Sequence, residues 1–482
     1  MTTVPRPAAD PLILGAPFES VESAALSGGV SRRTFLNGVL GAGAAAAGGS
    51  LLAACGGGGS LGGAGATSAS LSSSSASTGA AGEITIWDRS GDLFKVFDGV
   101  IASFNKLYPK IKVNHQQVDI DAKLPSALIT GAGLPDGSFW DDAKIPGQHE
   151  HLTDLSSLIK PYTADTVQYK LDVNTVDGKI YGVPWDLDPG LLYYRADILD
   201  RAGIDPAGIT TYDKLLAAAR TVKSKVNPNA RPIHFDMSPF LGQLWLEMLA
   251  NQLGTSMADA SGKLRLDSPQ YRQIFTWIQT AVKDQLVTHT TYLDPTDLKS
   301  FDDGTQVFMP WAIWWDAAPE QLLKTSKGKW RAMQLPAWTE GGSRAGVMGG
   351  SSFVIPAKAK SPELAWLFYE HLVYKKQGYT AVYGPNSIYP GGLNTSVPSY
   401  KPALNPAAPL FKPFPELGNQ DLWSIAVKSG LEVGRGTPLP TWWTGAVDYL
   451  GSNLQKLMDG QMTPEEVIAK STAAIQKNLI NR

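Results

Sequence analysis

Apolar residues change their spacing at regular intervals from Glu83 onward, and that alternation limits the folds open to this chain. Ile84 and Ile86 alternate with polar neighbours, the period of a strand. Leu93, Val96, Phe97, Val100, Ile101 and Phe104 then follow at helical spacing. I-K-V-N at 111–114 returns to strand period, Leu124, Ala127, Leu128 and Ile129 suggest a second helix, and Phe139 and Trp140 a third strand. A β-α-β-α-β order predicts an α/β fold with a largely parallel sheet covered on both faces. Further helices are expected after Ser268 and Pro269, after Ser361 and Pro362, and after T-P-E-E at 463–466, a capping box with Pro in the first turn. His371 falls within an apolar stripe and is expected at the core or its boundary.

At 482 residues the chain exceeds what one core of roughly 250–300 residues holds, so two domains are expected. Hydrophobic residues make up 43% and charged residues 18%, in the range of soluble globular proteins. A formal charge of −2 argues against a nucleic-acid partner, which calls for a basic face. The one cysteine excludes an internal disulfide.

Residues 1–82 read as an address and a tether. Arg32 and Arg33 precede a weakly apolar stretch that ends in L-A-A-C at 52–55. A charged region, an apolar region and a small-residue cleavage site form an export signal. The arginine pair resembles a twin-arginine signal, and L-A-A-C resembles a lipobox in which Cys55 becomes the lipidated first residue. A membrane-spanning helix is the bland alternative, and the many glycines make it a poor one. Residues 56–82 are nearly all Gly, Ser and Ala, a flexible linker of roughly 29 Å end to end. G-G-S-L-G at 58–62 matches a nucleophile elbow, and G-A-G-A-A-A at 41–46 a dinucleotide fingerprint. Neither stands in the strand-turn-helix context its chemistry needs.

Segments spread over 83–482 resemble the carbohydrate-binding group of extracellular solute-binding proteins of bacterial ABC importers. They include I-T-I-W-D at 84–88, F-N-K-L-Y-P at 104–109, G-K-I-Y-G-V-P-W-D-L-D at 178–188, L-L-Y-Y-R-A-D-I-L at 191–199, M-P-W-A-I-W-W at 309–315, G-G-S-S-F-V-I-P at 349–356 and P-L-P-T-W-W at 438–443. The resemblance implies two α/β lobes that close over a ligand by hinge motion. The expected crossings lie near 185–189, near Leu335 and near 384–386. That divides the chain into an export signal (1–54), a lipidated linker (55–82), an N-terminal lobe (83–187 with 335–385) and a C-terminal lobe (188–334 with 386–482).

A sugar presents C–H faces to aromatic rings and hydroxyl edges to charged or amide groups. Trp beside Asp recurs here. Trp87 and Asp88 end the first strand and Asp141 follows the third, where open α/β sheets place ligands. Trp185 and Asp186 lie at the first crossing. Trp311 or Trp314 is expected to stack on the sugar, Gly350 and Ser351 to bring main-chain amides and a hydroxyl, and Arg435 and Trp442 to border the cleft. For each, packing or capping is the competing explanation. Asp186 and Asp188 lack the spacing of a calcium loop, so no metal is expected, and no cofactor. H-E-H at 149–151 lacks zinc-protease spacing.

The expected function is carbohydrate capture outside the cytoplasmic membrane and delivery to a membrane-embedded ABC permease by a lipid-anchored monomer without chemistry of its own. A lipid-anchored glycoside hydrolase would line its cleft similarly. A ligand-presenting partner of a sensor would share the fold.

Overall fold

The computed structural model describes residues 79–481 apart from positions 90, 237, 390, 394 and 405–411. Arg32, Arg33 and Cys55 lie outside the described residues.

Strand β1 (Gly82–Asp88) pairs in parallel with β2 (Ile111–Gln117) and with β3 (Gly137–Asp141). Between them run helices α1 (Asp92–Leu107) and α2 (Ile120–Thr130). Val96, Phe97, Val100 and Phe104 of α1 are all buried, as their spacing requires. Asp119 caps α2 by accepting from the Ala122 amide, and Gly131 ends it at φ 74°.

Apart from a short hairpin at 175–180, the further strands are β4 (Val183–Pro184), β5 (Asp186–Leu187), β6 (Gly190–Arg195), β7 (Ile233–Phe235), β8 (Val287–His289), β9 (Phe308–Ala312), β10 (Trp330–Gln334), β11 (Ser351–Val354) and β12 (Val397–Pro398). The first sheet has the order β2-β1-β3-β11-β4 and the second β8-β7-β9-β6-β10. In the first, β11 runs antiparallel to β3 and β4. In the second, β7 is parallel to β8 and β9, and β6 is antiparallel to β9 and β10. Each sheet therefore joins a parallel unit to antiparallel strands, β11 in the first and β6 in the second entering from the other lobe, and is mixed rather than wholly parallel.

The helices that cover them are α3 (Gln168–Val173), α4 (Pro239–Asn251), α5 (Pro269–Lys283), α6 (Pro362–Tyr374), α7 (Lys376–Tyr383), α8 (Leu422–Glu432), α9 (Trp443–Met458) and α10 (Pro464–Ile475). Helices α6 and α7 pack on the first sheet's side, against β1 and α1. Helix α8 packs on β6 and β10, and α9 on α4. Ser268 caps α5, and Thr463 and Glu466 form the full capping box of α10. Ser361, in contrast, makes no side-chain cap for α6. His371 is buried, with Nε2 2.8 Å from the Ser103 hydroxyl.

Within the described residues the chain passes between the sheets three times. The first passage, at β5, pairs antiparallel with β12, which precedes the third. The second falls at Gly349 and Gly350 rather than near Leu335. The chain after Leu335 is still tied to the second lobe: the Ala337 amide donates to Thr210, Gly190 donates to Gly346, and Met348 donates to Asp188. The third follows β12 rather than 384–386, since Ser399 still accepts from the Val167 amide and Tyr400 packs on Tyr162 and Tyr374 of the first lobe.

Candidate functional site

Parallel strands leave main-chain ends and loops at their C-terminal edge, and ligands gather there. In the first lobe that edge holds Asp88 and Asp141, and Asp141 stands opposite Ser351 at the crossing. In the second it holds Ala312, opposite Gly190, and the next amide, Ile313, donates to Pro189. Both edges thus face the same set of crossings.

The first-lobe rim carries interlocked charges. Arg89 Nη2 donates to Asp141 Oδ1 at 2.9 Å. Lys144 Nζ lies 3.0 Å from Asp141 Oδ2 and 2.7 Å from Asp121. Burial alone would push the Asp141 carboxyl up, but Arg89 and Lys144 hold it down to about 2. The Lys144 ammonium also sits 4.9 Å from the ring centre of Phe240, on α4 of the second lobe. Phe240 meets Trp443 edge-on at 6.0 Å. The Thr444 hydroxyl donates to the Ala143 carbonyl across the same seam.

Behind this rim lies a hub on α3. Lys170, 1% exposed, donates to Asp142 and to the Ser351 carbonyl at 2.6 Å, and stands 3.6 Å from Asp186. Asn174 and the Ser352 hydroxyl donate to Asp142 Oδ1 at 3.1 and 2.6 Å. Asp186 accepts the Ser351 amide at 2.6 Å, and Asp188 accepts the Gly350 amide at 3.1 Å. Burial pushes Asp186 up to about 7, with Lys170 offsetting only part of it, and drives Asp188 well above the usual carboxylate range. Gly350 has φ 107°, and a Cβ there would stand 2.9 Å from Asp142 Oδ2, so only glycine passes the chain through this hub.

Two spaces open along the seam. An enclosed cavity of about 30 Å³ is lined from the first lobe by Asp142, Tyr169 and Val173 and from the second by Glu247, Asn251 and Trp443. Burial raises the Glu247 carboxyl, although it accepts from the Met257 amide and the Tyr271 hydroxyl. A groove of about 450 Å³ runs between 147–151 of the first lobe and Thr441, Trp442 and Gly445 of the second. Trp442 is half-buried at its wall.

The expected site residues divide into those at the seam and those elsewhere. Asp141, Asp186, Gly350 and Ser351 lie on the first-lobe side of it and Trp442 in the groove opposite 147–151; Asp186 and Ser351 are engaged with each other and with Lys170, and Gly350 with Asp142 and Asp188. Trp185 does not reach the cleft: it is 2% exposed and packs against Phe97, Phe139 and Phe353 at 5.0–6.0 Å. Asp88 is 1% exposed, its carboxylate turned to His115 and its own strand end, and burial pushes it up. Trp87 is half-buried and donates to Gln116 on the neighbouring strand. Trp311 is fully buried, stacked on Tyr292 at 5.3 Å and met edge-on by Trp314. Trp314, half-buried, is the more accessible of the two. Arg435 is spent on Asp172 in a two-point ion pair, with Nε and Nη2 at 2.9 and 3.0 Å. Arg89, Lys144, Lys170 and Phe240 were not expected. Arg89 directly follows the Trp87 and Asp88 pair, and Lys144 stands three residues after Asp141, so both carried a local signal. Lys170 and Phe240 carried none.

Comparison with known proteins agrees with this fold. The profile of the bacterial extracellular solute-binding protein family matches residues 99–409. An arabinooligosaccharide-binding protein of Bacillus subtilis (strain 168) is 26% identical over 308 residues, 60% of this chain and 69% of its own length. A lactose-binding protein of Rhizobium radiobacter is 24% identical over 59% of this chain and 68% of its own. Among solved structures, the galacto-N-biose/lacto-N-biose I-binding protein of the ABC transporter from Bifidobacterium longum, in complex with lacto-N-biose, superposes with a TM-score of 0.66 at 19% identity, covering 84% of this chain and 98% of that one. The ABC transporter associated binding protein from B. animalis subsp. lactis, in complex with β-1,6-galactobiose, gives 0.64 at 20% identity, over 83% and 97%. At these identities the superpositions establish the two-lobed fold.

Proposed function

Since the chain belongs to the bacterial extracellular solute-binding protein family, and is thus exported, we propose that it captures an uncharged di- or oligosaccharide between its lobes and hands it to a membrane-embedded ABC permease. The observation that carries this reading is the pairing across the seam. Lys144, paired with Asp141 beside Arg89, sits over Phe240 of the second lobe, and Trp442 walls a groove opposite 147–151 across the same seam. Rings cover the apolar faces of a sugar, and ionised groups take its hydroxyls. Among the described residues, Arg89, Lys144, Lys170 and Arg435 at the seam are each paired with carboxylates. An anionic sugar needs an unspent cation, whereas hydroxyls can join existing ion pairs. The relatives named for arabinooligosaccharide and lactose support the same class.

The enclosed cavity is about one water in volume, while ligand pockets run to roughly 300 Å³ or more. Entry to that interior therefore requires the lobes to separate about β5, β12 and residues 349–350. On this reading the lobes are 83–187 with 350–404, and 188–349 with 412–481. The ligand leaves chemically unchanged, and one copy of the chain suffices for capture. The anchor is Cys55, lipidated after export through the Arg32 and Arg33 signal, with the residues from 56 up to β1 as the tether.

Calorimetric titration of the full chain with neutral and acidic oligosaccharides tests the proposal, with the sugar recovered afterwards. Saturable binding of a neutral member, recovered intact, is expected. Cleavage of the sugar would transfer the case to a glycoside hydrolase, and preference for a uronate or a sugar phosphate would refute the uncharged class.

A further inference from the structure

We infer that Asp172 and Arg435 form an ionic latch between the lobes, and that this latch sets how readily the cleft opens; the effect on sugar affinity rests on the function proposed above. Asp172 belongs to the first lobe, because its helix α3 is fixed there by Lys170 to the ends of β3 and β11. Arg435 belongs to the second lobe. Its segment joins α8, packed on β6 and β10, to α9, packed on α4. The guanidinium meets the carboxylate at two points, Nε to Oδ2 at 2.9 Å and Nη2 to Oδ1 at 3.0 Å.

Two further features mark the contact as built. The Asp172 carboxylate is held ready by Gln168, one turn earlier, whose Nε2 donates to Oδ1 at 2.8 Å. The Gly436 amide adds a third hydrogen bond to Oδ2 at 3.0 Å. That amide reaches α3 only because residue 436 lacks a side chain: a Cβ would stand 2.8 Å from the Tyr169 carbonyl and 3.1 Å from both Asp172 Cβ and Val173 Cγ1. The latch also borders the enclosed cavity, which Tyr169 and Val173 line from one lobe and Thr437 from the other. The Asp172 side chain is only 10% exposed, whereas that of Arg435 is 77% exposed. The acceptor is thus a preformed socket, while the donor swings in from solvent and is open to screening by salt.

The latch is made with the lobes together, so losing it favours the separated state. A smaller population of the closed state lowers apparent affinity in proportion. Arg435 and Asp172 are positioning residues on this account: they touch the other lobe and not the sugar.

The test uses the full chain and its R435Q, R435K and G436A variants. Small-angle scattering is measured without ligand, and affinity with the tightest neutral oligosaccharide of the panel. R435Q is expected to enlarge the ligand-free radius of gyration and to weaken binding about threefold, the scale of a partly exposed ion pair. R435K should fall between wild type and R435Q, and G436A should open the lobes further. Raising salt should enlarge wild type and leave R435Q unchanged. A radius of gyration for R435Q equal to wild type, or tighter binding, overturns the latch. If no sugar binds wild type, the carbohydrate reading fails while the scattering comparison still decides the latch.

Discussion

Lys170 Nζ lies 2.6 Å from the Ser351 carbonyl oxygen, so one lysine of a six-residue helix holds the strand on which the chain returns from the second lobe. The same ammonium neutralises Asp142 and faces Asp186. Removing one partner of a buried ion pair leaves the other charge uncompensated. Lys170→Met is therefore expected to destabilise the protein by about 3–5 kcal/mol, read from chemical denaturation. A loss within error of zero would mean that the hub does not hold the crossing.

The hub also predicts a pH dependence. Asp186 is raised to about 7, whereas an unfolded aspartate ionises near ~3.9. Between those values the folded state holds a proton that the unfolded state has lost, so stability falls as pH rises through the window. The contribution of Asp186 is complete below the lower value and gone above the upper. Asp141, lowered to about 2, has the opposite sign and acts only below ~3.9. Asp186→Asn keeps an oxygen for the Ser351 amide and should flatten the decline between pH 4.5 and 7.5 in thermal melts. Parallel profiles for variant and wild type would contradict the assignment.

Two tryptophans should separate packing from recognition. Trp185→Ala empties the ring cluster of Phe97, Phe139 and Phe353 and is expected to cost about 3–5 kcal/mol. Trp442→Ala removes a half-buried groove wall and should weaken sugar binding while changing the melting temperature little. Equal losses of stability in the two variants would place Trp442 in the core instead.

At the second crossing, Gly350→Ala adds a methyl against Asp142 Oδ2 at φ 107°. A strained backbone of this kind costs about 1–3 kcal/mol. Thermal unfolding should show it, and Gly131→Ala, with φ 74° but nothing closer to its Cβ than Lys358 Cδ at 3.9 Å, should lose less. The reverse order would remove the crowding argument.

Much of the fold was legible because periodicity is local. The spacings over 84–140 gave the β-α-β-α-β order, and T-P-E-E at 463–466 gave a capping box whose hydrogen bonds are all made. The site was less legible, because residue type does not tell a core tryptophan from one that meets a ligand. Trp185 is buried by rings from positions 97, 139 and 353, and nothing near 185 announces them. Lys170 escaped notice for the same reason: Asp142 and Ser351 stand 28 and 181 positions away. Arg435 had the chemistry of a sugar ligand, and only the approach of Gly436 to α3 turned it toward Asp172. The pair of glycines at 349–350 was visible, and their left-handed backbone, not Leu335, marks the crossing.

The central claim is that a saccharide is held at the seam, and a crystal structure of the full chain with the tightest neutral oligosaccharide tests it most directly. The account predicts a sugar between the Asp141 and Lys144 rim and the wall of Phe240 and Trp442, with a ring stacked on one of those aromatics. A sugar seated elsewhere, for example in the second-lobe groove of Tyr194, Asp200 and Arg331, would contradict it.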